Sequence, residues 1–288
     1  MKTYLDIVRH VLENGVRKQN RTGIDTLSVS GFMFEHDMAT GFPLLTTKRM
    51  PFMTIRVELE GFIKGITDKK WFQDRRCKIW DEWCNPKKVA YSHDEETKQR
   101  MKEERDLGPI YGFQWRHFDA PYVNYDSDYS GQGIDQFAKM IETIKKDPGN
   151  RRMIVAAWNP KALPEQALPP CHYGFQVLVT EGKIDLLWNQ RSVDTMIGLP
   201  FNIASYATLL HLIAKETGLG EGKLIGFLAD THIYVNHVDG AKLQLSRELK
   251  PLPRITTDPF TSINEWTGEQ TRLEGYEFHE KIDFSIAV

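Results

Sequence analysis

Cysteine is scarce in this sequence of 288 residues, which contains only Cys77, Cys84 and Cys171, with no CxxC spacing among them. An odd and widely spaced set argues against a disulfide framework and against a zinc site. We therefore expect a reducing, cytoplasmic environment and no bound metal.

Long apolar runs are also missing, since none approaches the roughly 18 residues of a membrane-spanning helix. The first residues lack the apolar core of a secretory signal. Charge is nearly balanced, with 37 Lys and Arg against 39 Asp and Glu and a net charge of −2. Without a basic excess there is no electrostatic reason to expect a nucleic-acid partner. The composition predicts a soluble protein that acts on small molecules and needs neither membrane nor nucleic acid.

Two common phosphate-binding signatures are absent, the GxxxxGK[ST] loop and the strand-GxGxxG-helix unit. Arginines nevertheless stand at predicted turns or strand ends, as Arg21, Arg151-Arg152 and Arg191-Ser192. One guanidinium group can donate two parallel hydrogen bonds to two phosphate oxygens. Each arginine alone is most simply a surface residue, but together they favour a pocket for a monophosphate held by side chains.

The most informative stretch is Pro169-Pro170-Cys171, which leads into an apolar run. Each proline fixes φ near about −65° and removes a backbone donor, so the thiol is presented from a stiff entry into a strand. A buried small hydrophobe is the simplest interpretation of an isolated cysteine. The rigid presentation favours a nucleophile instead.

A hairpin is predicted directly after Cys171, with strands over 172–180 and 184–191 joined by a tight turn. Equal arms around that turn bring Arg191 back beside Cys171. A guanidinium there would favour the reactive thiolate.

Apolar periodicity predicts further elements on both sides of this hairpin. The predicted helices span 3–14, 53–63, 134–146 and 200–216, with another capped by Asn236 and ending near 245. The other predicted strands span 26–34, 153–158 and 223–235. We expect an α+β (α/β) fold in which a mixed β-sheet is flanked by helices. With no repeat or linker, residues 1–288 are predicted to form one domain, with polar insertions near 85–107 and 117–132.

Several other polar or aromatic residues suggest ligand contacts. Asn202 either caps the 200–216 helix or reads the O4 and N3–H edge of uracil, since an amide both donates and accepts. His232 and Tyr234 alternate on one strand, so both face the same way and could reach a sugar hydroxyl. Glu58 lies on an apolar helix side, where burial would raise its pKa and suit a proton relay. Trp80 either stacks on a flat ring or packs in the core.

Long motifs in family order resemble the folate-dependent thymidylate synthase family. They include GPIYGFQWR (108–116), ALPPCH (167–172), QRSVD (190–194), GLPFNIASYA (198–207) and DTHIYVNH (230–237). The resemblance implies reductive methylation of dUMP to dTMP, in which 5,10-methylenetetrahydrofolate gives the carbon and the hydride and leaves as dihydrofolate. Neither a metal nor a flavin is implied. It also implies a homodimer that packs through a sheet face.

Roles for individual residues follow only from this resemblance. The implied catalytic residues are Cys171 as the nucleophile at uracil C6, Glu58, Tyr111, His172 and Arg191. The implied dUMP-binding residues are Arg21, Arg151 and Arg152 from the neighbouring subunit, Gln190, Arg191, Ser192, Val193, Asp194, Asn202, His232 and Tyr234. The implied folate-binding residues are Trp80, Asp194, Ile197 and, in a C-terminal lid, Ala287. Glu60-Gly61 depart from the family pattern, in which an apolar residue and a tryptophan are usual.

The sequence is also compatible with three other functions. A deoxypyrimidine-monophosphate hydroxymethylase would share the nucleophile and the folate but let water finish the reaction. A nucleic-acid-binding regulator would use the arginines on a polymer and show strong salt dependence. A Cys–His hydrolase would need a histidine at the thiol, whereas His172 is the next strand residue and faces away.

Overall fold

Six strands form the central sheet of the computed structural model, which describes residues 1–285. Ala287, a predicted lid residue, therefore lies outside the described residues. The strands of the chain are β1 (Val16–Lys18), β2 (Thr26–Asp37), β3 (Ile154–Ala156), β4 (His172–Thr180), β5 (Lys183–Asp194), β6 (Gly220–Tyr234), β7 (Arg254–Thr257) and β8 (Thr271–Glu274). The sheet order is β1-β2-β6-β5-β4-β3, and β7 pairs with β8 separately. Only the β5–β6 pair is parallel, so the sheet is mixed.

Eight α-helices surround this sheet within the described part of the chain. They are α1 (Lys2–Asn14), α2 (Phe52–Ile63), α3 (Lys69–Asp74), α4 (Glu95–Glu103), α5 (Tyr111–Arg116), α6 (Gln136–Lys146), α7 (Gly198–Thr217) and α8 (Val238–Ser246). The predicted mixed sheet flanked by helices is confirmed. None of the helices in residues 1–285 is both long enough and apolar enough to cross a membrane.

One row of side chains across five strands shows how the core is built. Phe34, Gly226, Trp188, Phe175 and Val155 are register partners in turn and face the same side. The four larger residues are buried. A Cβ at Gly226 would lie 2.5 Å from the Trp188 ring, so the glycine leaves room for the indole. This row forms part of the main hydrophobic core.

The β4–β5 hairpin matches its sequence prediction closely. Its turn residues Glu181 and Gly182 both have positive φ, 50° and 74°. A two-residue turn of this kind matches the right-handed strand twist and fixes the register. His172 consequently pairs with Gln190, and the Arg191 N–H donates to the Cys171 carbonyl at 2.8 Å.

The helix-cap alternative for Asn202 is excluded, and the predicted cap at Asn236 is wrong. Helix α7 begins at Gly198, with Ile197 as its N-cap, so Asn202 lies inside the helix and does not cap it. Helix α8 begins at Val238 without a side-chain cap. The Asn236 amide instead donates to Ser285 Oγ at 2.8 Å, because the C-terminal segment passes beside it.

The polar 85–107 insertion is mostly exposed but is anchored to the rest of the chain. It contains α4, whose Met101 packs with Cys84 and Val89 in a small second core. The buried Lys69 ammonium donates to the Met101 carbonyl at 2.6 Å and ties the insertion to α3. Residues 119–132 contain no helix or strand, in line with the predicted loop.

Candidate active site

Cys171 borders a cavity of about 510 Å³ between the 20–26 turn, the hairpin and β6. Six predicted site residues line it, namely Arg21, Cys171, Arg191, Ser192, His232 and Tyr234. The arrangement follows from the sheet, because β5 ends beside Cys171 and pairs with β6. Two guanidinium groups, a hydroxyl and a thiol therefore face one space.

The Arg191 side chain is held by the Pro-Pro turn. Its Nε donates to the Pro170 carbonyl and its Nη2 to the Pro169 carbonyl, both at 2.9 Å. Its guanidinium lies 5.5 Å from the Trp158 ring centroid. The turn before Cys171 thus positions both the thiol and the positive charge beside it.

The resting state of Cys171 differs from the sequence expectation. Burial raises the pKa of this thiol, and Arg191 and Arg21 only partly lower it, while Asp194 raises it further. The predicted attraction between guanidinium and thiolate is present, but desolvation outweighs it. The free chain therefore holds Cys171 mainly as the thiol at neutral pH.

Tyr111 and His172 form a packed layer behind the thiol. The Cys171 backbone N–H donates to the Tyr111 hydroxyl at 2.8 Å, and the Tyr111 and His172 rings stack at 4.4 Å. His172 Nδ1 is 2.9 Å from the Tyr206 hydroxyl. Burial lowers the pKa of His172 to about 3, so the ring is neutral. His172 is bonded to a tyrosine and not to the thiol, which argues against a Cys–His hydrolase.

Glu58 is a buried carboxyl group on α2. Burial raises its pKa to about 7, and the nearby Trp80 indole N–H partly opposes this shift. The indole Nε1 forms no regular hydrogen bond within the described chain. A carboxyl group with a pKa near neutrality exchanges protons readily at physiological pH.

Comparison with known proteins decides the family. A sequence model described as thymidylate synthase matches residues 2–288. Human thymidylate synthase is 45% identical over 288 residues, which cover 99% of this chain and 90% of that protein. The chain belongs to the thymidylate synthase family. It is an enzyme of the methyltransferase type.

A second relative in the thymidylate synthase family carries an additional activity in its name. The bifunctional dihydrofolate reductase-thymidylate synthase of Paramecium tetraurelia is 41% identical over 290 residues. The alignment covers 99% of this chain but 61% of that longer protein.

The other predicted dUMP-binding residues do not line this cavity. Gln190 and Asn202 are joined by a 2.9 Å hydrogen bond from Nε2 to Oδ1. The Val193 side chain is fully buried, so the structure places it in the core and away from the cavity. Arg151 and Arg152 are exposed just before β3 and do not line this cavity.

The predicted folate-binding residues of the described chain lie on separate elements. Trp80 is buried, with its ring 6.3 Å from Phe62 and 6.1 Å from Tyr111. Asp194 Oδ1 accepts from the backbone N–H groups of Met196 and Ile197, each at 3.1 Å. This turn positions the start of α7.

The predicted site omits several residues that line the cavity, among them Asp230 and Trp158. Asp230 lines it and accepts a hydrogen bond from Ser28, with Lys18 Nζ 3.7 Å away. The alternation of Asp230 with His232 and Tyr234 on β6 was a usable signal. Trp158 lines the cavity from the segment after β3, for which no motif gave a signal.

Proposed function

We propose that this thymidylate synthase family member converts dUMP to dTMP, with 5,10-methylenetetrahydrofolate as the co-substrate that becomes dihydrofolate. The observation that carries the proposal is the thiol of Cys171 on a cavity lined by Arg21, Arg191 and Ser192. These groups suit a monophosphate whose pyrimidine ring lies against the sulfur.

The proposed chemistry begins at the sulfur, because uracil C5 alone is too weak a nucleophile for one-carbon transfer. Cys171 Sγ adds to C6 as its proton leaves, and the C5–C6 electrons pass into an enolate. C5 then bonds to the folate methylene, whose bond to folate N10 breaks as N10 takes up a proton. Loss of the C5 proton and cleavage of the remaining bond from the methylene to folate N5 leave an exocyclic methylene on the ring. Hydride from the tetrahydrofolate adds to this methylene, the C5–C6 double bond re-forms as the C6–S bond breaks, and the released thiolate takes up a proton.

Glu58, Tyr111 and His172 are proposed to support the proton transfers in this scheme in different ways. Glu58 is the exchanging group because its pKa is raised to about 7. Tyr111 and the neutral His172 hold the geometry beside Cys171 through their backbone and ring contacts. Arg191 stabilises the thiolate as it forms, since its charge lowers the pKa of the thiol.

The proposed nucleotide contacts extend beyond the phosphate. His232 and Tyr234 hold the deoxyribose from β6, and Asn202 reads the uracil edge with help from Gln190. Ser192 and Asp194 follow on the same strand. With its side chain in the core, Val193 contributes only backbone groups.

A homodimer is proposed to complete the phosphate site. The outer sheet face exposes apolar side chains, with Met33 57%, Ile154 54% and Phe227 43% exposed. Large apolar side chains exposed on one sheet face are suited to burial against a second subunit. Arg151 and Arg152 lie exposed beside this face at the start of β3, which suits a role in the partner's site.

Folate binding is proposed at Trp80, Asp194 and Ile197. Exclusion of water protects the exocyclic methylene from hydration. The three free cysteines of the described chain favour a reducing, cytoplasmic location.

Product analysis tests the reaction. Incubation with dUMP and 5,10-methylenetetrahydrofolate should yield dTMP and an equal amount of dihydrofolate. Dihydrofolate is measured by absorbance and the nucleotide product by mass spectrometry. Tetrahydrofolate with a hydroxymethyl nucleotide would instead indicate the hydroxymethylase alternative, which neither the family match nor the two relatives support.

A further inference from the structure

A buried chain of hydrogen bonds runs from an indole on β5 to the amide proposed to read the base. Trp188 Nε1 donates to Gln190 Oε1 at 3.1 Å. Gln190 Nε2 donates to the Ser192 carbonyl at 3.1 Å and to Asn202 Oδ1 at 2.9 Å. Trp188 is 0% and Gln190 2% exposed, so water has little access to these groups.

The direction of these hydrogen bonds is set at Gln190, which lies between a donor and an acceptor. An indole N–H is only a donor and a backbone carbonyl is only an acceptor. Gln190 must therefore turn its oxygen to Trp188 and its amino group to Ser192. The second amino hydrogen of Gln190 then points at Asn202, which must present its oxygen.

The indole itself has little room to move. Its ring stacks on Tyr206 at 5.5 Å with an angle of 12° between the planes, and it contacts Phe34 at 5.7 Å. Gly226 lies directly under it, where a Cβ would approach the ring to 2.5 Å. The donor at the start of the chain is thus fixed by packing.

We infer that Trp188 is a positioning residue that enforces selection of uracil over cytosine through Gln190 and Asn202. This inference rests on the proposed base-reading role of Asn202. With its oxygen toward Gln190, Asn202 keeps one lone pair for N3–H and its amino group for O4. In cytosine, N3 is an acceptor and the group on C4 is an amino donor, which is the reverse of uracil. To match it, Asn202 would have to turn its amino group toward that of Gln190, which leaves buried donors unpaired.

The test compares Trp188→Phe with Trp266→Phe, a matched loss of a buried indole donor. Trp266 Nε1 donates to Thr271 Oγ1 at 2.9 Å, outside the nucleotide cavity. Binding of dUMP and dCMP is measured by calorimetry. We expect the dUMP preference to fall by about threefold to tenfold in Trp188→Phe, the value of one hydrogen bond, and to stay unchanged in Trp266→Phe.

Asn202→Asp separates this inference from the proposed function on which it rests. That variant should shift preference toward dCMP if Asn202 reads the base. A wild-type protein without dUMP preference, or an Asn202→Asp variant with unchanged preference, contradicts the proposed base reading. A wild-type preference that survives intact in Trp188→Phe overturns the role of Trp188.

If Trp188→Phe does not fold, the NMR signal of the Trp188 indole N–H is measured in the wild-type protein instead. The Trp188 Nε1–H signal should exchange slowly with solvent and shift when dUMP binds. A signal that exchanges rapidly, or that does not shift at saturating dUMP, overturns the inference.

Discussion

The proposed nucleotide end and the proposed folate end of the site are built in different ways. At the nucleotide end, residues of the hairpin and β6 share one cavity with Cys171 because strand pairing brings them together. At the folate end, Trp80 packs against Phe62 while Asp194 caps a turn at the start of α7. Strand pairing thus brings most of the proposed nucleotide-binding side chains together, whereas the proposed folate-binding residues lie on several separate elements. Changes at the first should act on chemistry and nucleotide affinity, and changes at the second mainly on the co-substrate.

The largest expected effect comes from Cys171→Ser. Removal of the nucleophile should lower turnover by roughly 10⁴-fold or more, while dUMP still binds because the phosphate contacts remain. Single-turnover kinetics and calorimetry measure the two effects. Cys84→Ser, in the small second core, serves as the control. Substantial turnover by Cys171→Ser would rule out the covalent scheme.

A smaller loss is expected from Glu58→Gln, a change at the buried carboxyl group of α2. The protonated carboxyl supplies a proton as the enolate forms, so wild-type kcat/KM should fall as pH rises through about 7. Glu58→Gln should lower kcat by about 10²-fold or more and remove this inflection. A pH profile of the variant with the same inflection would show that another group is responsible.

The combined Arg151→Ala and Arg152→Ala change should raise the KM for dUMP by about tenfold to 100-fold, the value of a charged hydrogen bond. If these arginines act in the partner's site, mixing this variant with Cys171→Ser restores activity, because each hybrid dimer has one intact site. Mixing Cys171→Ser with Arg191→Ala is the control and should restore nothing, since both residues act within one subunit. If the first mixture recovers no more activity than the control mixture, the proposed action in trans is contradicted.

The smallest effect is expected from Trp80→Leu at the folate end. Loss of the aromatic contact should raise the KM for the folate by about threefold to tenfold and leave dUMP affinity unchanged. Trp71→Leu, a change at a half-buried tryptophan on α3, is the matched control. A change confined to dUMP affinity would reverse the assignment of the two ends.

Local pattern made the nucleotide end predictable. The Glu181-Gly182 turn and the alternating arms fix the hairpin register, so Arg191 follows from Cys171 by counting. The α7 stripe of apolar residues likewise predicts the helix that carries Asn202.

Other features depend on contacts between distant parts of the chain. The fit of Trp188 over Gly226 requires the parallel pairing of β5 with β6, which no local pattern encodes. Lys69 holds the 85–107 insertion through a carbonyl 32 residues away. The raised pKa of Cys171 reflects burial, which outweighs the arginine that sequence reasoning identified.

The most direct measurement of the central claim is intact mass after incubation with 5-fluoro-dUMP and 5,10-methylenetetrahydrofolate. Fluorine cannot leave C5 as a proton does, so the scheme stops after the carbon transfer. We predict a stable adduct that adds the masses of both ligands and maps to Cys171. An unmodified chain, or an adduct on Cys77 or Cys84, would contradict the account.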